Sequence, residues 1–260
     1  MDTENVYWTN SGTGEVMQAK KDGTGQITLA SNQGVPYCVV VAAGFVYWVS
    51  YDVDGVIRRA PVGGGELVDI VPAPGSKELT VTTDAIFWTR DPDDVEKVPL
   101  GGLPEGGMTT LLSMNTLSTG ITSDQGHVYW VNTLEGYVKK ADMALANDSV
   151  IAVGDQPWDI TVDDTNVYWT ERGSGPSAGR VMKATKAGGM GAVELAATQN
   201  GPRGIAIDQT HVYWANQEGG TVHRVPISGG AVEEIACGQE KPVNVAVVDL
   251  SQIGRASCRE

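Results

Sequence analysis

The chain has 260 residues, 41% of them hydrophobic, and its 32 Asp+Glu against 18 Lys+Arg give a formal net charge of −14. That balance excludes a nucleic-acid partner, which needs a basic face, and no apolar run approaches the ~20 residues of a membrane span. The three cysteines, Cys38, Cys237 and Cys258, include no Cys-x-x-Cys pair and form neither a disulfide framework nor a thiolate metal site.

The first element is Asn5-Val6-Tyr7-Trp8-Thr9-Asn10, a β-branched and aromatic run of the kind that forms a buried strand. Relatives of it follow at Phe45–Ser50, Ala85–Arg90, His127–Asn132, Asn166–Glu171 and His211–Asn216. Their tryptophans stand at 8, 48, 88, 130, 169 and 214, spaced by 40, 40, 42, 39 and 45 residues. A period near 40 signals one supersecondary unit copied in series. Within each period, a short apolar strand (A) precedes the Trp strand (B), and Gly-rich turns lead to two more (C and D). In the last full copy these are Pro202–Asp208, His211–Asn216, Thr221–Pro226 and Ala231–Cys237. Four antiparallel strands per copy make a propeller blade.

Strand A recurs at Pro36–Val41, Lys77–Val81, Thr119–Ser123, Pro157–Val162, Pro202–Ile207 and Pro242–Val247. The chain therefore starts on strand B of one blade and ends on strand A. The expected architecture is all-β: a six-bladed β-propeller over residues 1–250 as a single domain, its ring closed by pairing of 243–249 with the N-terminal strands. That closure removes open sheet edges. Residues 251–260 break the repeat and are read as a non-native or disordered tail.

The tryptophans are expected in the core. A repeated strand-C cation (Arg59, Lys97, Lys140, Lys183, Arg224, with Gln18 at the sixth place) is expected to pair with A–B turn acids Asp84, Asp124, Asp163, Asp208 and Asp249. Cys38 opens an inner strand of one blade and Cys237 closes an outer strand two blades away. A disulfide needs Cα atoms within ~7 Å, so both are expected as free thiols.

The Asn-Val-Tyr-Trp-Thr-Asn motif and its five relatives resemble the YWTD repeats of six-bladed propellers in low-density lipoprotein receptors. They resemble more closely the YWTN-type propellers of secreted bacterial proteins. The resemblance covers residues 1–249. It implies a binding module placed outside the cytoplasm (secreted, periplasmic or at the cell surface), with any leader absent from this chain, where a strand motif follows Met1 almost at once. The receptor motif's final acid is Asn10, Ser50, Arg90, Asn132, Glu171 and Asn216 here.

In such a fold the starts of strand A and the B–C loops gather on one face, around a central channel. The two residues before each strand-A aliphatic vary while the strands behind them do not: Tyr37-Cys38, Lys77-Glu78, Thr119-Gly120, Trp158-Asp159, Arg203-Gly204 and Val243-Asn244. Variation at one place on a fixed scaffold is where function enters a repeat array. Six-fold symmetry sets Tyr37 opposite Trp158. The expected ligand site is this channel mouth: Tyr37, Lys77, Glu78, Trp158, Asp159, Arg203 and Asn244. Aromatic faces with carboxylates suit a sugar, a cation or a peptide side chain.

The favoured function is non-enzymatic binding of a small molecule, glycan or protein by a monomer, without a cofactor. The alternative is an enzyme. Six-bladed lactonases hold calcium with channel carboxylates and an Asn, a set that Glu78, Asp159 and Asn244 would supply. Streptogramin lyases depend on a histidine near the mouth, whereas His127 and His211 begin strand B at the other end and His223 lies in strand C. The acidic loops Tyr51–Gly55 and Arg90–Asp94 read as solvated turns lacking the full ligand set of a calcium loop. Arg172–Gly179 is the longest loop and a candidate lid.

Overall fold

A computed structural model of the chain describes residues 5–10, 12–20, 24–52, 54–90, 94–102, 110–113, 118–189, 191–238, 241–242, 245 and 256–257. Among these every helix-or-strand element is a strand, arranged in two compact units, Met1–Asn115 with Ile253–Glu260 and Thr116–Gln252.

The first unit holds three antiparallel sheets. One comprises β1 (Asn5–Asn10), β2 (Glu15–Lys20) and β3 (Ile27–Ala30). The next runs β4 (Pro36–Ala42), β5 (Phe45–Ser50), β6 (Val56–Pro61) and β7 (Val68–Pro72). The third runs β8 (Ser76–Val81), β9 (Ala85–Arg90), β10 (Asp94–Pro99) and β11 (Thr110–Ser113). The second unit holds β12 (Ser118–Ser123), β13 (His127–Asn132), β14 (Tyr137–Asp142) and β15 (Ser149–Val153); then β16 (Pro157–Val162), β17 (Asn166–Glu171), β18 (Gly179–Thr185) and β19 (Val193–Gln199); then β20 (Pro202–Ile207), β21 (His211–Asn216), β22 (Thr221–Pro226) and β23 (Glu233–Ala236). In the closing stretch read as outside the repeat, β24 (Ala256–Ser257) pairs antiparallel with β8. The expected closing strand at 243–249 lies outside the described residues.

The Tyr-Trp dipeptide explains why the motif repeats. Consecutive strand residues point to opposite faces, so each sheet sends its Tyr one way and its Trp the other. Tyr129 of β13 shares a core cluster with Trp169 of β17, and Tyr168 of β17 shares one with Trp214 of β21. In the first unit, Tyr47 of β5 joins Trp88 of β9 in the same way. Trp48, Trp88, Trp130, Trp169 and Trp214 are all 0% exposed. The motif Thr adds a polar tie across to the next sheet: Thr9 Oγ1 donates to Tyr37 O at 3.1 Å, and Thr170 Oγ1 to Arg203 O at 2.6 Å.

Three indole N–H groups reach acceptors inside the core. Trp48 Nε1 donates to Gln33 Oε1 at 3.0 Å and Trp214 Nε1 to Gln199 Oε1 at 2.9 Å, each Gln lying three residues before a strand-A proline. The matching position before Pro157 is Gly154, and there Trp169 Nε1 donates instead to Glu171 Oε1 at 2.9 Å. Glu171 occupies the space a side chain on Gly154 would take: an ideal Cβ on that glycine would overlap the Glu171 carboxylate. Glu171 is fully buried, and Arg180 Nη2 lies 2.5 Å from its Oε2.

The turn acids Asp124, Asp163 and Asp208 bond within their own turns and not to the strand-C cations as expected, and Asp249 lies outside the described residues. Asp124, Asp163 and Asp208 each use Oδ1 to accept backbone N–H groups of their own turn. Each uses Oδ2 to accept the hydroxyl of the Tyr five residues on: Tyr129 at 2.8 Å, Tyr168 at 2.6 Å and Tyr213 at 2.7 Å. Local turn amides and a phenol already on the adjoining strand satisfy these carboxylates at little entropic cost, and Asp124 Oδ2 also pairs with Lys186, which is not a strand-C cation. The cations find other partners. Lys140 Nζ donates to Lys186 O at 2.7 Å and Lys183 Nζ to Ile227 O at 3.1 Å, while Arg59 lies 4.4 Å over the Phe45 ring. Thr82 takes the turn position in the third sheet, where the aromatic is Phe87 and has no hydroxyl to place. The turn Ala42-Ala43-Gly44 offers no carboxylate, and the buried Tyr47 hydroxyl has no partner among the described residues.

These carboxylates make the fold acid-sensitive. Burial pushes Asp124 up, but hydrogen bonds from Lys186, the Gly126 amide, the Tyr129 hydroxyl and the His127 amide outweigh it and hold the group well below the usual carboxylate range. In Asp208 the same opposition, burial against Tyr213 and the Thr210 and His211 amides, leaves a value of about 2. A folded-state pKa below the unfolded value of about 3.9 contributes stability that is complete above that value and is lost as pH falls through the folded one. The melting temperature is therefore expected to hold near neutrality and to fall between about pH 4 and about pH 2. Thermal unfolding of Asp124→Asn should show a lower melting temperature at neutral pH and a shallower acid slope. An unchanged slope would rule out the aspartate as the source.

Cys237 is an exposed thiol outside any disulfide, as expected. Cys38 is not: it is buried and disulfide-bonded. Separation from Cys237 leaves Cys38 open to another pairing, and its partner lies outside the described residues.

Candidate functional site

The variable positions at the start of strand A have a structural cause. In each described copy the ladder between strands A and B slips at this point: between Pro36 and Cys38, Ser76 and Leu79, Ser118 and Ile121, Pro157 and Ile160, and Pro202 and Ile205. A bulge takes residues out of strict alternation and re-aims their side chains. Trp158-Asp159 and Lys77-Glu78 lie wholly inside such bulges, as does Arg203-Gly204. The core therefore imposes little on them.

In the second unit β12, β16 and β20 lie side by side, which brings their bulges together. Trp158 is half-buried, unlike the five fully buried motif tryptophans named above. The Arg203 guanidinium lies 3.7 Å above the indole centroid, and that of Arg172 lies 5.2 Å away. Arg172 Nη2 also stands 3.5 Å from Glu218 Oε1. The Asp159 carboxylate turns to the backbone: Oδ1 accepts from its neighbour Ile160 N at 2.8 Å and Oδ2 from Ile205 N at 2.9 Å, tying β16 to β20. A calcium ion at Asp159 would compete with both amides. Among the described residues no group of three or more His, Cys, Asp or Glu is placed to hold a metal.

In the first unit Tyr37 and Tyr51 rings lie 6.1 Å apart at 50°, with Lys77 Nζ 5.0 Å from the Tyr51 ring centroid. Glu78 is half-buried on β8. Asn244 lies outside the described residues. Of the seven expected residues, the structure thus brings Trp158, Asp159 and Arg203 together in one unit, and Tyr37 with Lys77 in the other.

Tyr51, Arg172 and Glu218 were not among the expected site residues. A signal for the first two exists: each directly follows its motif strand, and each meets the bulge residue of its own sheet, Tyr51 with Tyr37 and Arg172 with Trp158. Thr133 holds the same place and lies 2.9 Å from Thr119. The histidines are placed structurally. His223 packs edge-on to buried Trp214, with its Nδ1 3.2 Å from Gln199 Oε1. His127 and His211 stand at the A–B turns, the opposite strand ends from the bulges.

No protein-family model matches the chain. Solved structures do. Virginiamycin B lyase from Staphylococcus aureus aligns with a TM-score of 0.79 at 11% identity, over 100% of this chain and 92% of that one. A streptogramin B lyase aligns with a TM-score of 0.78 at 13% identity, covering 100% and 91%. A chain in a nidogen/laminin complex aligns with a TM-score of 0.67 at 18% identity, covering 90% and 92%. The chain has a β-propeller fold. At these identities the likeness carries the fold and not the chemistry.

Proposed function

We propose that this propeller is a non-enzymatic binding module of the six-bladed YWTD/YWTN type, acting outside the cytoplasm, and that it holds its ligand at the bulged ends of β16 and β20. One observation carries this reading. Trp158 is a half-buried tryptophan on a bulge, in a fold that completely buries the motif tryptophans Trp48, Trp88, Trp130, Trp169 and Trp214. Packing explains a Trp at each motif position and does not ask for one here. Trp and Arg also dominate binding hot spots, and Trp158 stands with Arg172 and Arg203. The likeness to a chain of a nidogen/laminin complex supports a binding role for such a scaffold.

The test is a panel of glycans, peptides and small molecules titrated against the wild type and Trp158→Ala. A ligand bound by the wild type should lose at least about 2 kcal/mol of affinity in the variant. Full affinity in Trp158→Ala would take the site away from this end of the sheets.

A further inference from the structure

Two guanidinium groups lie against one indole, Arg203 at 3.7 Å and Arg172 at 5.2 Å from its centroid. Stacking occupies the face of a guanidinium and leaves its N–H edge directed in the plane, the geometry that grips a planar oxyanion.

The chain already seats one carboxylate beside this pair. Glu218 Oε1 is 3.5 Å from Arg172 Nη2, too long for a strong charge-assisted hydrogen bond. Gly201 makes room for that side chain. Its φ is +67°, and an ideal Cβ there would meet Glu218 Cγ at 2.9 Å and Cδ at 3.0 Å.

We propose that Arg172, held against Trp158, binds the carboxylate of a small ligand, and that Glu218 is the internal carboxylate this ligand displaces. The proposal rests on the reading of this end as the binding site. A small carboxylate is favoured over a polyanion because a chain of net charge −14 repels the latter at long range. The bidentate contact itself is local.

The test titrates succinate into the wild type, Glu218→Gln and Arg172→Gln, followed by calorimetry and tryptophan fluorescence, with inorganic phosphate and a glutamate-rich peptide as parallel arms. Both substitutions are on solvent-reaching side chains, and circular dichroism checks that each variant is folded. Succinate should bind saturably, several-fold tighter in Glu218→Gln and about tenfold weaker in Arg172→Gln. Absence of saturable succinate binding to Glu218→Gln would overturn the proposal, as would equal affinity in all three proteins. Preference for phosphate would overturn the carboxylate assignment, and preference for the peptide would overturn the small ligand. A neutral ligand that needs Trp158 while succinate fails to bind would leave the binding module standing without its carboxylate specificity.

Discussion

Trp130→Ala is expected to destabilise the protein by about 3–5 kcal/mol, the cost of a large cavity in a closed core. The ring is 0% exposed at the centre of β13, with β12 and β14 paired on either side. Few side chains can collapse into the space. Trp158→Ala removes a ring that is already partly open to water, together with two cation–π contacts worth about 0.5–1 kcal/mol each. Its cost should stay near 1–2 kcal/mol, a fall in melting temperature of a few degrees for a chain this long. The comparison separates a binding anchor from a core residue. Thermal unfolding showing equal loss in both variants would place Trp158 in the core and remove the main ground for locating a ligand beside it.

The second large effect is expected at Arg180. Its guanidinium is the cation beside Glu171, whose carboxylate is wholly removed from solvent. Arg180→Ala leaves that charge buried without its counter-ion, which typically costs 3–5 kcal/mol. Arg180 is itself 37% exposed, so water entering the gap offsets part of the loss, and about 2–3 kcal/mol is expected. Combining it with Glu171→Gln should restore most of the stability, because the amide oxygen still accepts from Trp169 Nε1 and no charge remains to be compensated. Chemical denaturation of the two variants decides it. If Arg180→Ala alone stays within about 0.5 kcal/mol of the wild type, the pair has no structural weight.

The strands were legible because their period comes from packing. Each Tyr-Trp pair serves two faces, so the six motif strands can be bounded from the sequence at the residues where they occur. Trp158 and Arg203 were legible as irregularities for the same reason, since the repeat relaxes where the ladder bulges. The contacts at the site were not. Arg172 reaches Trp158 from the end of the next strand, and Glu218 reaches Arg172 from a turn 46 residues further on. The second meeting depends on a neighbouring sheet rather than on spacing within one copy. The same limit explains the turn aspartates. Periodicity showed that they recur beside a recurring cation, but the phenol five residues away was the nearer partner.

The exchange at Gly154 and Glu171 bears on how copies of a repeat diverge. Two sheets supply the indole acceptor from a glutamine before strand A, and one supplies it from the end of strand B. Moving between these arrangements one substitution at a time is obstructed from both sides. A side chain added at Gly154 first runs into the Glu171 carboxylate. Removing Glu171 first deprives both Trp169 and Arg180 of their partner. Neither single step is neutral, so this copy is held in its present form by its own history. A residue preference borrowed from the sister copies would be a poor guide to what position 154 or 171 tolerates.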